Sequence, residues 1–431
     1  MHRILIVLAF VSAPSLYAQS LEEQVAEMRT EIQLLRQELN DVKKQLQAQT
    51  ATVEEIPLLQ AQVQEQAQTK VETNSKFPLK LYGTVVSNTF LNTGVANWLD
   101  IPDVALPSTP GLPPGSFSSA LRQTRIGALF DGPDVGGMKL NGTVAFDFYG
   151  GIPNFQTGPV MGLPRLVYAY VRLDGEKTAF EIGQDYMMLA PKNPTTLMGE
   201  SFPTIYRSGN LYLRAPQIRA ERLLASGDYG QIRIIGGIMA PISGDYTGPY
   251  QFVPPALAGE RSRTPAVQTR VSWRSNPAGP YEQPRWEFGV SQHYGHDRFT
   301  SGLVPSYATS GDFDATFGRF GVGGEYFVGR NLAAFGGTIG QNAKSQGGFA
   351  EGRFAATRRL SFNTGYGTDQ PFDTVKFPVS LTRNGTFFAN SIYNFTPEFR
   401  GAFEYEHLAT RGTTIGSQRN DHFNLTFAYS F

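Results

Sequence analysis

The chain contains no cysteine. That absence excludes disulfide staples, thiolate metal sites and lipid attachment through an N-terminal cysteine. Charge is also scarce. Asp, Glu, Lys and Arg make up 17% of the 431 residues, and 37 basic side chains balance 37 acidic ones. A net charge of zero offers no basic footprint for nucleic acid. Beyond the N-terminus no apolar run approaches the ~18 residues of a helical membrane span. Histidine occurs five times. His293, His296 and Asp297 could in principle mimic a hydrolase site, but no nucleophile motif accompanies them. HExxH, the P-loop and a usable GxGxxG are missing too. No enzyme is expected, and no cofactor or metal is implied.

What is present is glycine (46) and phenylalanine (31) in an otherwise weakly charged chain. The start, MHRILIVLAFVSAPSLYAQS, has a positive Arg3, an apolar core and a small-residue end, so residues 1–18 read as a secretory signal. Leu21, Val25, Met28, Ile32, Leu35, Leu39, Val42 and Leu46 then alternate spacings of four and three. Such a seam predicts a coiled coil over residues 19–56, on the order of 50 Å long. Pro57 stops it. A Gln-rich linker follows over residues 57–76.

From Phe77 the period changes to two. The last eleven residues, DHFNLTFAYSF, place Phe423, Leu425, Phe427, Tyr429 and Phe431 on one face of a strand. His422, Asn424, Thr426 and Ser430 fall on the other. About sixteen such strands are expected up to Phe431. They include Phe317–Val328 and Leu332–Asn342, with a loop before them in which Asp312 and Asp314 are solvated. Short connections (DGE, SGDY, FTPE) alternate with long Gly- and Pro-rich ones. A sandwich or propeller would not sort its loops in this way. The fold class expected is therefore an all-β transmembrane antiparallel β-barrel of about sixteen strands, preceded by an α-helical coiled coil. Residues 77–431 form the barrel.

Several segments carry a family resemblance. They are PLKLYG, LRQTRIGALFDG, PRLVYAYVRLDG, EIGQDYMMLAPKNPTTL, RAPQIRAE and the final FAYSF. In this order, behind a signal and a coil, they resemble the DcaP-like outer-membrane porins. The resemblance implies a homotrimeric sixteen-stranded porin with an inward-folded third loop and uptake of small anions such as dicarboxylates. Residues 189–209 are the candidate for that loop. The barrel segment holds six Lys against twenty-four Arg, unlike the lysine cluster of the phosphate-selective porins.

In a passive channel, function resides in pore width and lining charge. The period of two turns Arg125, Arg165, Arg270 and Arg274 inward, and Arg233 between Ile232 and Ile234. RAPQIRAER adds Arg214, Arg219 and Arg222. Guanidinium groups bind carboxylates in a bidentate way. Asp147, Glu181 and Asp185 supply opposite charge across the lumen, or simply pair with the arginines. The reading is an outer-membrane porin for small hydrophilic solutes, anion-preferring through an Arg-lined constriction, with the coil in the periplasm. The expected partners are outer-membrane lipids and lipopolysaccharide, small anionic solutes and, through the coil, cell-wall components. The alternative is an envelope tether or stalk in which the barrel serves mainly as an anchor.

Overall fold

The structure is a computed structural model that describes residues 31–41, 43, 78–151, 162–244, 256–276, 284–337, 342–376 and 379–431. The chain divides into two units, Met1–Asn74 and Ser75–Phe431. In the first, residues 31–41 are α-helical, and Ile32, Leu35 and Leu39 are exposed along it. The expected signal, the linker and the rest of the coil lie outside the described residues.

The second unit is a closed antiparallel sheet. In chain order the strands are β1 (Leu79–Asn92), β2 in two halves (Ser116–Ala120 and Arg125–Val135), β3 (Met138–Asp147), β4 (Arg165–Asp174), β5 (Thr178–Tyr186), β6 (Arg214–Gly227), β7 (Gly230–Met239) and β8 (Ala266–Arg274). They continue with β9 (Trp286–Phe299), β10 (Gly302–Phe317), β11 (Phe320–Arg330), β12 (Lys344–Ala355), β13 (Leu360–Phe372), β14 (Leu381–Asn394), β15 (Phe399–Gly412) and β16 (Gly416–Ser430). Both halves of β2 pair with β1, so the 17 segments of the sheet make sixteen strands. β16 closes the cylinder on β1, with Thr84 opposite Ser430 and Asn92 opposite His422. Closure leaves no sheet edge to be satisfied in lipid.

Alternation decides which side each residue faces. In β16 Leu425, Phe427 and Tyr429 are exposed outward, while His422, Asn424 and Thr426 are buried inward. In β9 Phe288, Val290 and Tyr294 are outside, and Ser291, His293 and Asp297 inside. A slip of one residue would put histidine and asparagine into lipid, so the pattern pins the register. The short turns share one rim with the start of β1 and the end of β16, and the long loops leave from the other.

Two strand assignments differ from the expectation, and they compensate in number. Residues 302–316, expected as loop, form with Phe317 the strand β10. Its inward Asp312 and Asp314 are paired with Arg270 and Arg353 at 2.7 and 2.8 Å; Asp312 is buried and Asp314 partly exposed. Its lumen face accepts charge, and its outward apolar residues, Leu303, Tyr307 and Phe317, are interrupted by Thr309 and Gly311, so the apolar signature is broken. Conversely, the described residues of the expected strand Leu332–Asn342, 332–337 and 342, form no strand. They hold a 3₁₀ turn at Ala333–Phe335, and Leu332 and Phe335 are buried inside the barrel. Loop sorting is also incomplete. Two connections on the long-loop rim, residues 300–301 and 413–415, are tight turns.

Candidate functional site

The third loop, residues 187–213 between β5 and β6, runs through the lumen. Its backbone donors are captured by inward side chains of the wall. The Gln268 carbonyl accepts the Met188 and Leu189 N–H groups at 2.8 and 3.0 Å. Glu325 takes the N–H of Lys192 and of Leu211, each at 3.3 Å. Glu351 takes Thr195 at 2.8 Å, and Glu404 takes Leu197 and Met198 at 2.6 and 3.0 Å. The side chains of Asn384 and Asn390 donate back to the carbonyls of Arg207 and Thr195. Buried backbone groups must find partners, and here the wall provides them.

Apolar contacts complete the seat. Ile205 packs on Phe349 and Phe388, and Leu197 on Val86, Ala402 and Ala428. Glycine lets the backbones approach. Gly209 has φ +101, and a Cβ there would overlap the Gly348 carbonyl. The loop is thus held mainly on β11 to β15, with further contacts on β1, β8 and β16, while β2 to β8 carry the inward arginines singled out in the sequence.

Seven of the eight arginines singled out in the sequence face inward. Arg165 grips Asp147 with both nitrogens, at 3.0 and 2.6 Å. Arg219 meets Glu181 at 2.8 Å and Asp185 at 2.9 Å. Arg233 meets Glu221 at 2.7 Å. Arg270 bridges Asp312 and Glu287, at 2.7 and 3.0 Å. Asp147, Glu181 and Asp185 are therefore immediate partners of the arginines on the same wall. Cross-strand neighbours thus bring these opposite charges into direct contact.

Three inward arginines form no ion pair among the described residues. Arg125 donates to the Glu200 carbonyl of the third loop at 2.9 Å. Arg214 donates to the Tyr186 hydroxyl at 2.7 Å and lies 5.0 Å from the Tyr168 ring centre. Arg274 reaches only Gln231, at 3.3 Å. Arg222 departs from expectation. It pairs with Ile234, whose face is outward, and donates to Thr178 at 2.9 Å near the short-turn rim. Its phase is opposite to that of Arg219 and Glu221. The histidines do not converge either. His293 is buried inward against Gln268 and Ser306, and His296 bonds to the Tyr294 hydroxyl on the outer phase.

Sequence reasoning missed the row Glu325, Glu351 and Glu404. The signal was present, since Glu404 alternates with Phe403 and Tyr405. It missed Arg172 too, which joins Glu221, Asp174 and Glu181 at 2.7, 2.8 and 3.4 Å.

The first loop, residues 93–115, also enters the barrel. Asp100 pairs with Arg122, and both are buried. Tyr149 donates its hydroxyl to Asp100 at 3.0 Å, and its ring lies 4.2 Å from the Arg122 guanidinium. Burial and the Asp100 charge raise the Tyr149 hydroxyl above its usual range. Farther along the loop, Asp103 stands 3.7 Å from Arg207 of the third loop. Burial pushes its carboxyl up to about 6, against the pull of Arg207.

No family model and no curated protein matches the chain. Solved structures do. The outer membrane channel DcaP of Acinetobacter baumannii superposes with a TM-score of 0.64 at 18% identity, over 83% of this chain and 99% of that one. An anion-selective porin from Comamonas acidovorans gives 0.53 at 9% identity, covering 83% and 100%. Pseudomonas putida OprB gives 0.52 at 10%, covering 85% and 97%. At these identities the likeness shows the fold: this chain has the barrel of the outer-membrane channels.

Proposed function

We propose that the protein is an outer-membrane porin, a passive homotrimeric channel for small hydrophilic solutes with a preference for anions. The observation that supports it is the third loop. It is fixed to one wall by carboxylates and amides that spend themselves on backbone N–H groups. The strands β2, β6 and β8 keep three guanidiniums that no carboxylate among the described residues neutralises: Arg125, Arg214 and Arg274. A lumen narrowed in this way filters by width. Guanidiniums in a low-dielectric passage attract carboxylates and raise their local concentration. The solute then moves down its gradient with no bond made or broken.

The chain enters the barrel at the short-turn rim, which in membrane barrels is periplasmic. Residues 19–56 would then stand in the periplasm, where the heptad seam suits a trimer or a cell-wall contact.

Planar-bilayer recording tests the reading. Purified protein should insert in steps and show a reversal potential favouring anions under a salt gradient. Absence of conductance would leave the barrel as an anchor, and cation selectivity would overturn the anion preference. Deleting residues 21–76 should weaken trimers and leave conductance in place.

A further inference from the structure

Near the loop rim the outward faces of β13 to β16 gather Arg383, Arg411 and Arg419 around a cavity of about 290 Å³. The register puts them there. Arg383 is opposite Arg411, and Ala409 opposite Arg419, with His407 opposite Asp421 one step below. All share the outward phase of Phe387 and Tyr405, while Asn384, Thr386 and Thr410 of the same strands are buried toward the lumen. The same cavity is lined by Tyr366 and Gln418.

None of the three arginines forms an ion pair among the described residues. Arg383 reaches only uncharged oxygens, the Tyr366 hydroxyl at 3.1 Å and Thr368 Oγ1 at 3.4 Å. The nearest carboxylate in the ladder, Asp421, is already held by His407 at 2.8 Å and Tyr405 at 2.7 Å. Like charges facing each other across strands repel. On a barrel wall such a set is stable where an anion sits between the guanidiniums. Phosphate suits their fork of donors.

The position selects the source of that anion. The pocket opens outward, not into the lumen, so a permeating solute does not reach it. Below it Phe387, Phe403 and Leu425 continue as exposed apolar wall, a surface on which acyl chains can lie. We propose that this pocket binds the phosphate groups of a phosphorylated glycolipid of the outer leaflet, with its chains running down over Phe387 and Phe403. The assignment rests on the reading of the loop rim as the outer side of the membrane.

The test uses the full-length protein in mild detergent, titrated with lipopolysaccharide and followed by native mass spectrometry. The R383A/R411A/R419A variant should bind roughly tenfold more weakly, and the corresponding triple Lys variant should stay within about threefold of the parent. Enzymatically dephosphorylated lipopolysaccharide should bind the parent as weakly as intact lipid binds the Ala variant. Heat-modifiable gel mobility establishes that each variant is folded, and R411A and R419A singly stand in if the triple change is not. Unchanged affinity in a folded Ala variant overturns the proposal, as does equal binding of the dephosphorylated lipid. Trimers that fall apart in lipid-free detergent, with lipid affinity retained, would assign the arginines to a neighbouring protomer's carboxylates instead. Conductance is read separately. Its loss in the parent would end the channel reading, whereas a lipid result tied to these three residues would stand.

Discussion

The Arg207 guanidinium lies 3.7 Å from the Asp103 carboxylate, and this pair joins the first loop to the third inside the barrel. Asn384 reinforces it from the wall, donating to the carbonyls of both residues at 2.9 and 2.7 Å. Asp103 is raised from 3.8 to about 6, by burial first, with Arg207 opposing. A folded-state value above the unfolded one means that the folded loop holds the proton more tightly. The stability this confers is complete below pH 3.8 and lost as pH rises through about 6. Over that window the seating of the first loop should weaken by a few kcal/mol, at about 1.4 kcal/mol per pH unit, because burial of the charged carboxylate costs more than Arg207 returns. Limited proteolysis or hydrogen exchange of residues 97–106 should show faster opening at pH 7 than at pH 4. Asp103→Asn should flatten the dependence. Arg207→Ala should move its midpoint upward, since the group that lowers the value is gone.

The glutamate at 404 holds the third loop by two backbone N–H groups. Glu404→Ala would leave both donors buried and unpaired, at about 1–3 kcal/mol each. That is enough to free this corner while the barrel stays closed. Single-channel records should show larger, noisier conductance, and exchange should rise at Leu197 and Met198. Glu404→Gln keeps one acceptor oxygen and should fall between the two. Unchanged noise and exchange in the Ala variant would mean that Ile205 and Leu197 alone seat the loop.

The barrel was legible in the sequence wherever lipid was the solvent of one face. Phe423 to Tyr429 had to alternate with His422 to Ser430, and so fixed phase and closure. Legibility failed where the contrast between the faces is interrupted. β10 has Asp312 and Asp314 inside, and its outward apolar row of Leu303, Tyr307 and Phe317 is broken by Thr309 and Gly311, so the period was masked. Leu332 and Phe335 are apolar for a different reason than a strand would be, since they pack against the third loop. Arg125, Arg165, Arg233, Arg270 and Arg274 followed from phase; RAPQIRAER has no clean period, so Arg214 and Arg219 reach inward and Arg222 does not. Which inward arginines remain unpaired was out of reach. It depends on cross-strand partners such as Glu287 and Asp312, and therefore on register.

Two classes of arginine should answer differently to mutation. Arg270 is nearly buried between Asp312 and Glu287. Arg270→Ala would strand the buried Asp312, while Glu287 keeps Lys192 at 2.9 Å, and breaking such a buried pair costs about 3–5 kcal/mol. The expected outcome is poor assembly, read as loss of the heat-modifiable band. Arg125, Arg214 and Arg274 have no carboxylate to strand. Changing the three to Gln should preserve folding and shift the reversal potential toward cations. If selectivity does not move while the barrel folds, the preference is set by paired arginines or by the loops.

The seam at the other rim depends on glycine and a ring. Gly83 and Phe431 exchange two backbone hydrogen bonds of 3.0 Å each, and the Phe431 ring covers the space where a Gly83 Cβ would stand. A glycine in a strand is weak by itself, having no side chain to pack. An aromatic ring from the neighbouring strand replaces that missing surface. Gly83→Leu must push the ring aside or press on the Arg125 carbonyl, 2.8 Å from the added Cβ position. Both seam bonds are then at risk, at about 0.5–1.5 kcal/mol each. The unfolding temperature on gels should fall, whereas Val85→Leu, two residues on and already exposed outward, should leave it unchanged. Phe431→Ala should also lower it, and in that background Gly83→Leu should cost less than in the parent. A coupling of roughly 1 kcal/mol would mark the two as one unit. Strict additivity would mean that the ring packs elsewhere, and that closure rests on the hydrogen-bond ladder between Thr84 and Asn92 alone.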